Sequence, residues 1–267
     1  MTGLRYVYAV CRPFGPALQS QLTGVAGDPP RLLHHHGLVA VVSHVPEPDF
    51  AEEPLRAHLR DPAWLAATAR AHQQVVDALT VVTTPLPLRP GTVFRDDSGV
   101  RVMIERREDG FRRTLDRLAG RVEWRVGVRV EAEPAQGWAA AEEFAARLHE
   151  ALAARAEGAR LRAPQHPAPD VAAASGTGAG TGAEDGAGRT VLDAAYLVPR
   201  TSSEEFVAYV ERGTGEVPGI RVELTGPWAG YSFAGADSTW EDSICEDDTA
   251  TGPVRPPSGT GSRRAAH

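Results

Sequence analysis

Residues 121–131 read RVEWRVGVRVE, and this stretch decides the fold class. Polar and apolar residues alternate without a break, so Val122, Trp124, Val126, Val128 and Val130 fall on one face of an extended chain. A helix would scatter those five side chains around its circumference. A strand gathers them into an apolar surface that other elements have to cover. Downstream, residues 138–162 are rich in Ala, Glu and Arg and are expected to form one long helix, on the order of 37 Å if helical throughout. Residues 190–199 (TVLDAAYLVP) read as a second strand, Thr201-Ser-Ser-Glu204 as a capping box for a helix through Arg212, and residues 219–225 (GIRVELT) as a third strand.

The order β-α-(loop)-β-α-β over residues 121–236 resembles a modified ferredoxin-like fold built on a split βαβ unit. Its loop, residues 163–189, passes from Pro164, Pro167 and Pro169 into a Ser/Gly/Thr run. That composition cannot bury a core, so a disordered insertion spanning roughly 30 Å is expected there.

Upstream of residue 121 the chain reads as a separate α+β unit. Residues 4–11 (LRYVYAVC) form a strand ended by Arg12-Pro13, and residues 37–43 (GLVAVVS) are apolar enough for a strand buried on both faces. Asp61-Pro62 opens an amphipathic helix through Leu79, with the acid at N-cap and proline at N1. Residues 81–94 contain three prolines and should be extended. Ser98 is expected to cap a helix whose apolar stripe runs from Val102 to Leu118 and which Gly120 stops. The chain is thus expected to be α+β with two domains, 1–120 and 121–236, and an unstructured tail over 237–267.

The 267 residues carry 28 Lys+Arg against 35 Asp+Glu, and every one of the cations is Arg; there is no Lys and no Asn. This excludes a P-loop lysine, a Schiff-base lysine, a kinase ATP-pairing lysine and an N-glycosylation site. Residues 1–164 hold 21 Arg and 20 acids, while residues 165–267 hold 7 Arg and 15 acids, so the net charge of −7 belongs to the second part. No basic balance suits nucleic acid, and no apolar run suits a membrane or a signal peptide. A soluble cytoplasmic protein is expected. Cys11 and Cys245 stand too far apart in sequence to form a CxxC site.

Short motifs reduce to structure when their context is weighed. The run Gly178-Ala-Gly-Thr-Gly-Ala183 has the letters of a dinucleotide fingerprint but lacks the preceding strand and following helix, so it reads as linker. His34-His35-His36 begins a zinc ligand set, yet with no Cys nearby and His44 carried away along a strand it reads as a hydrated loop. Ser232 sits in an elbow-like Gly-Tyr-Ser-Phe-Ala without a partner histidine downstream except His267 in the tail. The Arg-rich region from Arg101 to Arg121 is interleaved with acids and reads as an ion-paired helix surface. The six acids from Asp237 to Asp248 have no calcium-loop spacing; they are read either as a solvated tail or as a contact for a basic partner. No catalytic residue, cofactor or metal is assigned.

Residues 87–94 (PLRPGTVF) are unusual for a linker, because Arg89 stands among prolines and apolar residues and Gly91 suits a positive φ. With the strand at 37–43, Asp61-Pro-Ala-Trp-Leu65, His72, the Trp124 strand and the segment 224–233 (LTGPWAGYSF), this pattern resembles the gas vesicle protein F/L family from about Arg5 to Ala234. Pro90 and Gln73 depart from that family's usual residues. The resemblance implies a cytoplasmic, gas-vesicle-associated accessory protein, not an enzyme, whose partners are the small hydrophobic shell protein and other gas vesicle proteins. Arg89, Gly91, Phe94, Trp228 and Tyr231 are its candidate partner-binding residues. Core packing is the competing reading for Trp228 and Tyr231. A second functional reading makes the ferredoxin-like half a small-molecule sensor or enzyme in which Arg89 grips an anion or nucleotide.

Overall fold

Both faces of Leu4–Cys11 (β1) are covered, and this explains why the strand is apolar almost throughout. In the computed structural model, which describes residues 3–15, 22–130, 138–162, 189–213 and 218–235, β1 lies inside a sheet. One edge pairs antiparallel with β3 (Leu38–Val45), which in turn pairs with β2 (Arg31–His35). The other edge is shared by β4 (Pro85–Pro87) and β5 (Val93–Phe94). Prolines in β4 are tolerated because it is an edge strand. A bulge in β1 between Val7 and Ala9 resets the alternation. Consequently Val7 and Val10 face one core, while Tyr6, Tyr8, Ala9 and Cys11 face the other.

Two long helices cover this sheet. On one side α3 (Pro62–Val82) contributes Val75, Val76 and Leu79, and on the other α4 (Asp97–Leu118) contributes Ile104, Phe111 and Leu115. Asp61 caps α3 as expected, its carboxylate accepting from the N–H groups of Ala63 and Trp64. The helix continues to Val82, so residues 81–82 are helical where an extended chain was expected. Thr84, which precedes Pro85, is the residue that cannot continue it. Asp96, and not Ser98, caps α4: its carboxylate accepts from Ser98 N–H at 2.8 Å and Gly99 N–H at 3.0 Å. Two short helices that the periodicity does not announce, α1 (Glu47–Phe50) and α2 (Glu52–His58), set Phe50 and Leu55 into the α3 side of the core. Gly120, with φ of +71°, turns the chain out of α4.

The second sheet has the order β7-β8-β6-β9, antiparallel throughout. Its strands are β6 (Arg121–Val130), β7 (Gly158–Leu161), β8 (Arg189–Pro199) and β9 (Ile220–Trp228). Four of the apolar residues of β6, Val122, Trp124, Val126 and Val128, meet α5 (Trp138–Ala153) and α6 (Ser203–Gly213) through Phe144, Leu148, Leu152, Phe206 and Val210, and Val130 is buried as well. The long helix expected over 138–162 therefore ends at Ala153, and its last part is strand β7. At Gly158 an added Cβ would lie 3.1 Å from the ring of Phe233, so the residue beginning that strand has little room for a side chain. The helix α6 is entered through a 3-10 turn at Arg200–Ser202, so Thr201 lies within that turn and not at the N-cap of a capping box, and Ser203 Oγ, at the start of α6, donates to Pro199 O.

The opposite face of the second sheet meets the first half. Ala195 and Leu197 of β8 join Leu118, Phe233 and Ala234 in the cluster that contains Val7, Ile104 and Phe111. Arg200 reinforces this seam, its N–H donating to Gly120 O and its guanidinium to Thr80 O. Of the expected insertion at 163–189, residues 163–188 with the glycine run lie outside the described residues and Arg189 begins β8; the expected tail at 237–267, with its acids, lies outside them too.

Candidate functional site

A groove of about 490 Å³ opens between the Pro87–Pro90 edge of the first sheet and the turn at Tyr231–Phe233. Its lining includes Arg89, Pro90, Arg160, Tyr231 and Ser232. On the first wall, the chain between β4 and β5 makes a tight turn. Thr92 N–H and Oγ–H both donate to Arg89 O, while Leu88 N–H reaches Tyr8 O and Thr92 O accepts from Val7 N–H. Gly91 has φ of +89°, a conformation that favours glycine, and its N–H donates to the Tyr6 hydroxyl. The turn leaves Arg89 and Pro90 exposed at the rim. Among the described residues, nothing forms an ion pair with Arg89.

This wall rests on a buried polar relay. Tyr6 Oη lies 3.0 Å from His72 Nδ1 while accepting from Gly91 N–H, so the hydroxyl proton goes to the imidazole. Burial holds the His72 pKa down at about 3, which keeps the ring neutral and able to accept. The neighbouring Tyr8 hydroxyl accepts from Val25 N–H and donates to Ser43 Oγ. His72 thus acts as a core partner that fixes Tyr6, and through Tyr6 the Gly91 turn.

The second wall is fixed from β6. Glu123 is fully buried, with one carboxylate oxygen accepting from Ser232 N–H at 2.7 Å and the other from Ser232 Oγ–H at 2.8 Å. Arg125 Nε donates to the same group at 2.9 Å, so the buried charge is paired. Ser232 is a structural serine held by a carboxylate. Tyr231 packs against the α3-side core, with its hydroxyl buried and unpaired among the described residues. Burial and, secondarily, the Asp77 carboxylate push its pKa well up. Leu118 presses against this turn so closely that a Cβ on Gly230 would sit 2.6 Å from Leu118 Cδ2.

The five candidate residues do not share one surface. Arg89 and Tyr231 meet in the groove, and Gly91 shapes one wall from behind. Phe94 packs inward against the α4-side core, and Trp228, half-buried on β9, donates its indole N–H to Thr225 Oγ at 3.3 Å. Arg160 is not among the candidates, because residues 158–161 read as helix in sequence; nothing in its local sequence marks a groove residue. Glu123 is not among them either, being placed on what the alternation makes a polar face. The ion-paired surface expected of α4 is present, with Glu108 and Arg112 paired at 2.8 Å and Asp116 reaching Arg12.

Comparisons with known proteins bear on the same segments. The family model for "Gas vesicle synthesis protein GvpL/GvpF" matches residues 4–139 and 134–235, which include both groove walls. Gas vesicle protein L of Streptomyces sp. (strain CB03234) is 49% identical over 265 residues, covering 87% of this chain and 93% of that protein. Gas vesicle protein F of the same strain is 27% identical, covering 85% of this chain and 98% of that one. The crystal structure of GvpF from Anabaena sp. PCC7120 has a TM-score of 0.64 at 16% identity, covering 87% of this chain and 96% of its own, so the fold is shared. GvpF from Microcystis aeruginosa gives 0.62 at 17% identity, with 88% and 99% covered. With mixed helices and two sheets of that architecture, and with its motif-bearing segments inside the matched ranges, this chain belongs to the GvpL/GvpF family of gas vesicle synthesis proteins.

Proposed function

We propose that the chain is an accessory protein of gas vesicle formation, a non-enzymatic assembly factor that works in the cytoplasm at the nascent vesicle. Its partners are the small hydrophobic shell protein and other gas vesicle proteins, and the groove between Arg89 and Tyr231 is the contact surface. The observation that carries this reading is the convergence of two family-matched segments, 87–94 and 224–233, on one groove although they stand far apart in sequence. Neither wall is built like a catalytic site. The Ser232 hydroxyl is engaged by Glu123 and His72 is buried behind Tyr6. Among the described residues no helix is long and apolar enough to cross a membrane.

The architecture is read the same way. Two units meet at Gly120, and the second is ferredoxin-like: its strands run in the order second, third, first, fourth with both helices on one face, which supports that reading. The test is co-purification of tagged shell protein with this chain and with an Arg89→Ala, Arg160→Ala double variant. Retention by the native chain and loss by the variant is the expected result.

Two guanidinium groups lining one groove also suit an anion, the feature that favours a sensing or enzymatic module. A thermal-shift panel of nucleotides separates the readings, since a saturable ligand lost in the same double variant would favour the module.

A further inference from the structure

We infer that His35, His36 and Glu105 form a binding site for a borderline transition-metal cation of the zinc type, fastening the β2–β3 hairpin to α4. The three side chains come from two elements. Each offers one ligand atom, and these atoms all lie within 4.8 Å of one another. His35 Nε2 is 2.6 Å from Glu105 Oε1, and His36 Nε2 is 4.0 Å from the same oxygen. Zinc bonds of about 2.0–2.1 Å place tetrahedral ligand atoms roughly 3.3 Å apart, midway between those two separations. Rotation of His36 and Glu105, both about half exposed, toward the more buried His35 would bring both nitrogens and the oxygen onto one ion, with the fourth position left to water.

The surroundings are those of a ligand set. His36 Nδ1 lies 2.7 Å from Glu108 Oε2, and because a carboxylate only accepts, the ring donates its N–H there. In the neutral ring that leaves Nε2 bare and facing Glu105, the arrangement in which a carboxylate orients a zinc-binding histidine from behind; His35 Nε2 donates its own N–H to Glu105 without the metal and would bind the ion with that proton moved to Nδ1. Glu105 and Glu108 stand three apart on α4 and share a face. Arg112 holds the other side of the cluster, donating to Glu108 and, at 2.6 Å, to His36 O.

Backbone conformation adds a second observation. His36 and Gly37 form the two-residue turn between β2 and β3, with φ of +47° and +66°. Such turns favour Asn-Gly or Gly-Gly, and a histidine in the left-handed region carries a conformational cost. The cost is met at the position where the imidazole reaches α4. Nitrogen and carboxylate donors of this kind select zinc, nickel or copper over magnesium or calcium.

Titration of the full chain with Zn²⁺ against a chromophoric chelator, with Co²⁺ as the spectroscopic reporter, tests the site. One saturable equivalent is expected, giving tetrahedral Co²⁺ bands and a raised Tm that Mg²⁺ and Ca²⁺ do not produce. His36→Ala and Glu105→Gln should weaken binding at least about tenfold, and Glu108→Gln by a smaller factor. His44→Ala and His58→Ala should leave it unchanged. If His36→Ala fails to fold, Glu105→Gln decides alone, since its side chain is half exposed. Absence of saturable binding, or binding indifferent to Glu105→Gln, overturns the assignment.

Discussion

In the sheet around β1 both faces are covered by helices of the same half, α3 on one side and α4 on the other, whereas the sheet around β6 carries helices on one face only. Its second face is closed by Leu118, Phe233 and Ala234 at the seam. The contrast shows up in what each half buries. The first half encloses its own polar partners, with Tyr6 on His72 and Tyr8 on Ser43. The second buries a carboxylate, Glu123, whose partners come from β6 itself and from the turn beyond β9. A sheet covered by its own helices can hold internal hydrogen bonds. A sheet that borrows its cover needs a fixed turn at the seam, and that turn is also one wall of the groove.

Truncating Phe206 to Ala in α6 attacks the self-covered face of the second sheet and should cost about 3–5 kcal/mol in chemical denaturation. Because the seam is shared, amides of β1 and β3 are expected to lose hydrogen-exchange protection together with those of β6 and β8. Loss confined to the second sheet would mean that the seam does not couple the halves. Glu123→Ala strikes the seam itself. Leaving Ser232 N–H and Arg125 without their acceptor should cost about 1.5–3 kcal/mol, with the Gln variant retaining part of the loss. Native stability in the Ala variant would show that Glu123 does not hold the seam.

The buried relay of the first half makes a pH prediction. The His72 pKa is lowered from 6.5 to about 3 in the folded chain, so between these values the unfolded chain binds a proton that the folded one does not. Stability is therefore full above pH 6.5 and falls toward pH 3, by about 1.4 kcal/mol per pH unit from this group. His72→Gln keeps an acceptor for Tyr6 and should flatten that slope; an unchanged slope would contradict the assignment. Asp97 acts in a lower window. Hydrogen bonds from Arg31 and, after the opposing effect of burial, from Arg5 hold its pKa near 2, so its contribution is lost only as pH falls from about 4 toward 2. The smallest stability effect is expected for Arg89→Ala, within about 0.5 kcal/mol, because the side chain is exposed at the groove rim.

How much of this was legible varies by element. The alternation in β6, the apolar run of β3 and the Asp61-Pro62 start of α3 are strong local signals, and each marks an element that is there. The strand β7 was illegible because Ala159, Arg160 and Leu161, three of its four edge residues, carry helix propensity and continue an Ala/Arg/Glu run, and only pairing with β8 makes them extended. The strand β2 hid for a related reason: His34 and His35 are weak strand formers whose conformation comes from pairing with β3. The groove was half legible. Arg89 and Tyr231 stood out from their neighbours, but their meeting, the arrival of Arg160 and the anchoring by Glu123 depend on contacts between the two sheets. The approach of Glu105 to His35 spans 70 positions, and no local pattern carries such a distance.

We propose that the groove between the two halves receives gas vesicle proteins. The most direct measurement is binding of purified shell protein, kept soluble by a fusion tag, to the native chain and to the Arg89→Ala, Arg160→Ala variant, with folding of both verified by circular dichroism. Saturable binding to the native chain and a loss of at least about tenfold in the variant are expected, each truncated contact of hot-spot quality being worth about 2 kcal/mol or more. Equal binding by both folded proteins would contradict it.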